Sequence, residues 1–111
     1  MKELKVIDSL RLKGTEAYFP SDTIYSGALS SYTEQEVTVP PGADFVHLNY
    51  TDDIYVNYDT TATVPSGSVS EGGGELNPVV RYIGETTVMH LIAPRNCVVT
   101  LCFYSKNEVS V

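Results

Sequence analysis

The feature that most constrains this chain is the run of short extended segments that fills residues 37–111. Each segment is rich in β-branched and aromatic residues and ends at Pro, Gly, Asn or Asp. None has the 3.6-residue apolar period of a convincing helix, and the turn signals recur about every 8–12 residues. This pattern predicts an all-β protein: an antiparallel β-sandwich or jelly roll of about eight strands, with an extended N-terminal arm.

Alternating apolar and polar residues give the positions of the strands. The predicted segments are Glu16–Phe19, Thr23–Leu29, Glu34–Val39, Asp44–Tyr50, Ile54–Tyr58, Thr61–Val64, Val79–Ile83, Thr86–Ile92 and Cys97–Tyr104. Gly27 predicts a bulge within its strand. Asp44–Tyr50 and Ile54–Tyr58, joined by three polar residues, are predicted to pair as a hairpin. The Gly/Ser-rich stretch Pro65–Pro78 is predicted to be a long loop, used for contacts if it is ordered.

The charge divides the chain into two parts. Residues 1–13 carry four basic and two acidic side chains, a net +2, and are predicted to form an arm or edge strand. Residues 14–111, predicted to be a single β-sandwich domain, carry three basic and twelve acidic side chains, a net −9. The basic strip can either dock on an acidic neighbour, including a second copy of the chain, or be a solvated edge.

The overall charge and the cysteines limit the partners and the compartment. A formal charge of −7 argues against nucleic acid or an anionic membrane as the main partner, and no apolar run has the length of a membrane span. Cys97 and Cys102 lie five residues apart in one predicted strand, on opposite faces and about 16 Å apart. They are therefore too distant for a disulfide, and assembly in a reducing cytoplasm is expected.

Motifs for catalysis or cofactor binding are missing from the sequence. No nucleophile elbow, HExxH or phosphate-binding loop occurs, so the chain is predicted not to be an enzyme and to use no cofactor. His90, between Val88 and Ile92 on its own face, is interpreted as a structural histidine. Four side chains could offer oxygen ligands to calcium: Asp52, Asp53, Asn57 and Asp59. Turn positions explain these residues equally well, so no metal site is predicted.

Binding is therefore the expected activity, and three regions supply candidate contacts. Tyr55 lies on the outward face of its strand, where it either contacts a partner or pairs with a neighbouring strand. The predicted protein-interface residues are Lys5, Arg11 and Lys13 in the basic strip, Tyr55, and Glu71, Gly73 and Glu75 in the Gly/Ser loop.

Several short motifs also resemble a family of virion proteins. They are Thr61-Ala62-Thr63-Val64-Pro65-Ser66-Gly67, Glu75-Leu76-Asn77-Pro78, Arg81-Tyr82-Ile83-Gly84, His90-Leu91-Ile92-Ala93-Pro94 and Val98-Val99-Thr100-Leu101-Cys102-Phe103-Tyr104. Over residues 37–104 the chain resembles the small head decoration proteins, also called cement or staple proteins, of short-tailed bacteriophages.

This resemblance implies a jelly roll on the outer capsid surface of a virion. The implied protein is a homodimer that binds the major capsid protein and holds neighbouring capsid subunits together, and it has no catalytic residues. The alternative is a carbohydrate-binding β-sandwich module, for example one that binds host-surface glycans. The absence of Trp counts against that alternative, because tryptophan is favoured in the aromatic platforms on which sugars stack.

Overall fold

The structure is a computed structural model that describes residues 1–4, 6–8, 16–18, 20–70 and 72–106. Within these ranges the chain forms ten β-strands and no helix, so the described residues contain no helix that could cross a membrane. The strands are β1 Val6–Asp8, β2 Glu16–Tyr18, β3 Thr23–Leu29, β4 Gln35–Thr38, β5 Phe45–Tyr50, β6 Tyr55–Tyr58, β7 Glu75–Leu76, β8 Val80–Tyr82, β9 Val88–Ile92 and β10 Cys97–Tyr104.

Eight of these strands form two four-stranded antiparallel sheets. The first sheet has the order β3-β10-β5-β8 and the second the order β4-β9-β6-β7. From β3 to β10 the chain crosses between the sheets at every connection except that from β6 to β7. Two sheets wound together in this way make a jelly roll, which confirms the predicted all-β sandwich.

The core lies between the two sheets and is filled by alternate residues of their strands. From the first sheet, β10 contributes Val99, Leu101 and Phe103, and all three are buried. Their counterparts from the second sheet include Val56, Met89 and Leu91. Because each strand of a two-layer sandwich buries one face, buried residues alternate with more exposed ones along β5 and β10.

The strand β10 pairs on both sides, and its pairing corrects one prediction. Seven consecutive residues of β10 oppose seven of β3 without interruption, from Cys97 opposite Leu29 to Phe103 opposite Thr23. The bulge predicted at Gly27 is therefore wrong, since Gly27 lies directly opposite Val99.

The predicted hairpin between Asp44–Tyr50 and Ile54–Tyr58 is also wrong. Strand β5 lies in the first sheet between β10 and β8, whereas β6 lies in the second sheet between β9 and β7. Residues 51–53 connect the two layers: Thr51 exchanges hydrogen bonds with Val98, and the backbone N–H of Ile54 donates to Oδ1 of Asn77 at 2.8 Å. Both strands alternate because each faces the same core from opposite sides, and a hairpin would show the same alternation.

The long connection between β6 and β7 differs from the prediction in two respects. Thr61–Val64 is not a strand, and the predicted loop Pro65–Pro78 contains the short strand β7. Gly74, just before β7, has a φ of +118°, and a Cβ there would lie 2.8 Å from the carbonyl oxygen of Val56. A glycine is thus required for the chain to approach β6 closely enough to pair with it.

The N-terminal residues extend the edge of the sandwich. The N–H of Ser105 donates to the carbonyl of Lys2 at 2.8 Å, and the N–H of Leu4 donates to the carbonyl of Ser105 at 3.2 Å. Strand β1 then pairs with β2, separately from the two large sheets. Lys5 and residues 9–15 lie outside the described residues, so the arm predicted over residues 1–13 and the boundary at residue 14 stay predictions.

Because Leu101 faces inward on β10 and Val98 faces outward, truncation of these two side chains should lower the free energy of unfolding by different amounts. Leu101→Ala should lower the free energy of unfolding by about 2–5 kcal/mol, because it leaves a cavity between the sheets. Val98→Ala, on the outward face, should cost about 1 kcal/mol or less. Urea denaturation of both variants measures the difference, and equal losses would contradict the assignment.

Candidate interaction surface

The four strands of the first sheet place no charged side chain on its outward face. Their register sets residues from all four strands side by side, with β10 and β5 in the centre. The outward residues are Ile24, Ser26 and Ala28 of β3, Val98, Thr100, Cys102 and Tyr104 of β10, Phe45, His47 and Asn49 of β5, and Val80 and Tyr82 of β8. We call this surface the uncharged face.

Several large apolar groups of the uncharged face are open to solvent. Ile24 is 54% exposed, Val98 51% and Tyr82 56%. The Phe45 and Tyr82 rings contact each other edge to face, with 5.4 Å between their centroids, so they form one aromatic cluster. At the border, beyond the end of β10, Nζ of Lys106 lies 5.1 Å from the Tyr82 ring centroid. An uncharged centre with exposed aromatic and aliphatic groups is typical of the core of a protein–protein interface.

The uncharged face explains an unusual feature of the β10 sequence. Cys97–Tyr104 reads C-V-V-T-L-C-F-Y, with apolar residues in both alternating sets. Such a continuous run is typical of a strand that is buried on both faces. In this two-layer sandwich the core covers only one face of β10, and on the other face Val98 is exposed, Thr100 and Cys102 are partly exposed and Tyr104 is buried. The run is thus the local sequence signal that could have indicated an interface here.

The outward face of the second sheet is different in character. Glu36, His90 and Asn57 lie in one row across its strands β4, β9 and β6. Residues 61–62 of the β6–β7 connection lie over this row: the N–H of Ala62 donates to Oε2 of Glu34 at 2.8 Å, and Ala62 is only 1% exposed. This second face is polar and partly covered by the chain itself, so the uncharged face is the better candidate for a contact.

A groove opens between the two sheets where the edge strands β3 and β4 lie side by side. Its volume is about 440 Å³, and its walls include Val37, Val99 and Leu101. Tyr25 closes one end and contacts Phe103 edge to face, with 5.2 Å between centroids. Because β3 is also the border of the uncharged face, the groove and the face form adjoining apolar surfaces.

The interface residues predicted from the sequence lie away from the uncharged face or outside the described residues. Lys5, Arg11, Lys13 and Glu71 are not described. Tyr55 is half-buried on β6, opposite Leu76 and Ile92 in the second sheet. The carbonyl of Gly73 accepts a hydrogen bond from the N–H of Thr63 at 2.9 Å. Tyr55 and Glu75 lie on the paired strands β6 and β7, and contact of the predicted interface residues with a partner stays a prediction.

Glu75 joins the two sheets at their second edge. Its carboxylate accepts hydrogen bonds from the Arg81 guanidinium, the shortest at 2.9 Å, and from the Tyr58 hydroxyl at 3.0 Å. The hydrogen bonds from Arg81, followed by the one from Tyr58, hold the pKa of Glu75 below its usual value against the opposing effect of burial. This carboxylate thus connects β7 and β6 of the second sheet to β8 of the first.

Three of the possible calcium ligands are carboxylates, and each of them contacts a different partner. Asp52 lies 3.5 Å from Arg95, and Oδ1 of Asp53 accepts a hydrogen bond from Asn77 at 2.8 Å. Asp59, at the other end of β6, accepts hydrogen bonds from the N–H of Val88 and from Thr87, which lower the pKa of its carboxyl group. These contacts support the turn interpretation of the acidic residues.

His90 has a structural contact of the kind that the sequence predicted. Its Nδ1 lies 3.2 Å from Oε1 of Glu34, and the residue is buried. The second histidine, His47, lies on the uncharged face in the row of Cys102 and Val80.

Comparisons with protein-family models, with curated proteins and with solved structures each found no match. A function for this chain is therefore proposed from its surfaces and from its sequence motifs.

The two cysteines provide a chemical test of which side of the first sheet is exposed. Both thiols are free, and they lie on opposite faces of β10 as predicted, Cys97 buried and Cys102 half-buried. Burial raises the pKa of both thiols, so both should react slowly at neutral pH. A thiol reagent, used without reductant, should label Cys102 in the folded protein and Cys97 only after unfolding. Earlier labelling of Cys97 would contradict the assignment of the two faces.

Proposed function

We propose that this protein is a structural virion subunit that binds the outside of a bacteriophage capsid through its uncharged face. In this role it holds neighbouring major capsid protein subunits together and stabilises the head. The observation that carries the proposal is that the strands of the first sheet place no charged side chain on its outward face, where Ile24, Val98 and Tyr82 are exposed, in a protein of formal charge −7. The class of partner comes from the sequence resemblance to phage head decoration proteins.

The size of the uncharged face fits one part of a larger contact. Four strands at about 4.8 Å spacing and about seven residues of 3.3 Å each give a patch of roughly 400 Å². A stable interface of standard size needs about 800 Å² from each partner. Additional contacts are therefore required, and the adjoining groove between β3 and β4 and the predicted basic strip, with Lys5, Arg11 and Lys13, are the proposed sources.

Formation of a homodimer would also strengthen the attachment to the capsid. When one half of a dimer is bound, the other half binds its site at a high effective concentration, so two weak contacts give strong attachment. A dimer that contacts two capsid subunits also links them directly. The proposed partners are accordingly the major capsid protein and a second copy of this chain.

The uncharged face is less suited to a sugar. Its most exposed aromatic ring, Tyr82, meets Phe45 at an interplanar angle of 66°, so the two rings do not form one flat platform. Sugar recognition also uses converging polar groups in a cleft, whereas Val98 and Ile24, which are apolar and exposed, lie on an open sheet face. We infer a non-enzymatic binding role, with carbohydrate binding as the competing function.

A charge placed at Val98, near one end of the uncharged face, should weaken capsid binding. Val98→Asp would bury an unpaired carboxylate in the proposed contact, and the expected loss of affinity is at least about tenfold, because 1.4 kcal/mol corresponds to that factor. Val69→Asp is the matched control, since Val69 is fully exposed (105%) and lies in the β6–β7 connection. Co-sedimentation with heads assembled without the protein gives the affinity, and thermal melting checks that both variants fold.

Wild-type protein and Val69→Asp should co-sediment with heads and protect them against heating, and Val98→Asp should do both more weakly. Equal binding by all three proteins would show that another surface makes the contact. No binding to heads, together with specific binding on a glycan array, would favour the carbohydrate-binding function.

A further inference from the structure

Three side chains with metal-ligand atoms converge on the outward face of the second sheet. Nδ1 of His90 lies 3.2 Å from Oε1 of Glu34 and 3.8 Å from Oε1 of Glu36. One ligand atom from each of the three residues lies within 4.8 Å of the other two. The cluster is remote from the uncharged face, which belongs to the other sheet.

The strand pattern explains why these residues meet. Glu34 and Glu36 are two residues apart in the extended segment at β4, so their side chains lie on the same face. The antiparallel register then places Glu36 directly opposite His90 of β9. A histidine and two carboxylates are thereby held on adjacent strands rather than on a loop.

The spacing fits a tetrahedral ion. A zinc ion lies about 2.0–2.1 Å from nitrogen and carboxylate oxygen ligands, so two ligands of a tetrahedral site are about 3.3 Å apart. The two distances from His90, 3.2 and 3.8 Å, bracket that value. The exposed Glu36 side chain would have to move about 0.5 Å towards His90 to reach that spacing.

One of the carboxylates is oriented by a buried backbone group. Oε2 of Glu34 accepts a hydrogen bond from the N–H of Ala62 at 2.8 Å, which leaves Oε1 directed towards His90. Residues 61 and 62 are themselves fixed, because Nδ2 of Asn57 donates to the carbonyl of Thr61 and Ala62 is buried. Contacts of this kind orient the ligands in natural metal sites.

The cluster also lacks a compensating basic side chain. In the described part of the chain, Arg81 pairs with Glu75 and Arg95 with Asp52, and neither Glu34 nor Glu36 forms an ion pair with Lys or Arg. With His90 neutral, the two carboxylates give the site a charge of −2, which favours a divalent cation.

We propose that Glu34, Glu36 and His90 bind a divalent transition-metal ion of the zinc class. Nδ1 of His90 and one carboxylate oxygen from each glutamate supply three ligands. The fourth position faces solvent, since the Glu36 side chain is 66% exposed, and water fills it. The imidazole ligand favours zinc over calcium or magnesium, which prefer oxygen ligands alone. The ion would fix the edge strand β4 to β9 and to the β6–β7 connection, on the sheet opposite the uncharged face.

The site is tested by titrating untagged protein, first stripped with a chelator, with Zn²⁺ in a calorimeter. One ion should bind per chain, and it should raise the melting temperature, because a ligand that binds only the folded state stabilises it. Glu36→Gln should weaken binding by about 10–100-fold. Glu85→Gln is the matched control, because it removes the same charge from an exposed turn, and it should bind like the wild type.

One further measurement tests whether a thiol, and not this cluster, binds the ion. Cys102→Ser should leave the affinity unchanged, because Cys102 lies on a strand of the other sheet. The proposal is overturned by a lack of saturable binding, by equal losses in Glu36→Gln and Glu85→Gln, by loss of binding in Cys102→Ser, or by equally tight binding of Ca²⁺.

Discussion

The structure depends on the strand β10, which is apolar on both of its faces. Its inward side chains Val99, Leu101 and Phe103 fill the space between the sheets, and its backbone pairs with β3 on one side and β5 on the other. Hydrophobic burial between two sheets stabilises this small domain, so the inward set is required for folding. On the outward side Tyr104 is also buried but Val98 is exposed, and the lack of charge on this side is the basis of the proposed partner contact.

The two outer faces of the sandwich differ because a connecting segment of the chain crosses one of them. The β6–β7 connection returns across the second sheet, where Ala62 is buried against Glu34 and the row around His90. In the described residues no comparable segment crosses the uncharged face, and Val98, near one end of β10, remains half exposed there. The uncharged face and the proposed metal site therefore lie on different sheets, although Glu36 also lines the groove between β3 and β4.

The sequence predicted the positions of the strands better than it predicted which strands pair with each other. Alternation marks a strand with one buried face, which is why the bounds predicted for Thr23–Leu29 and Cys97–Tyr104 are those of the structure. Alternation does not say which strand lies alongside, and the hairpin predicted from Asp44–Tyr50 to Ile54–Tyr58 is wrong for that reason. Thr61–Val64 has the composition of a strand, but its backbone packs over a sheet instead of joining one.

The candidate surfaces depend even more on tertiary structure. The uncharged face assembles residues from β3, β5, β8 and β10, and only the register shows that their outward positions coincide. Likewise, Glu34 and His90 are 56 residues apart in sequence, so no local motif announces the cluster. The continuous apolar run of β10 is the one local signal, and it becomes informative once the fold is known to have only two layers.

The most direct test of the central claim is an electron cryomicroscopy reconstruction of phage heads that carry the bound protein. The account predicts density for the jelly roll on the outer capsid surface, with the β3-β10-β5-β8 sheet against the capsid protein and the β6–β7 connection towards solvent. Ordered density with the second sheet against the capsid, and Val98 facing solvent, would contradict it.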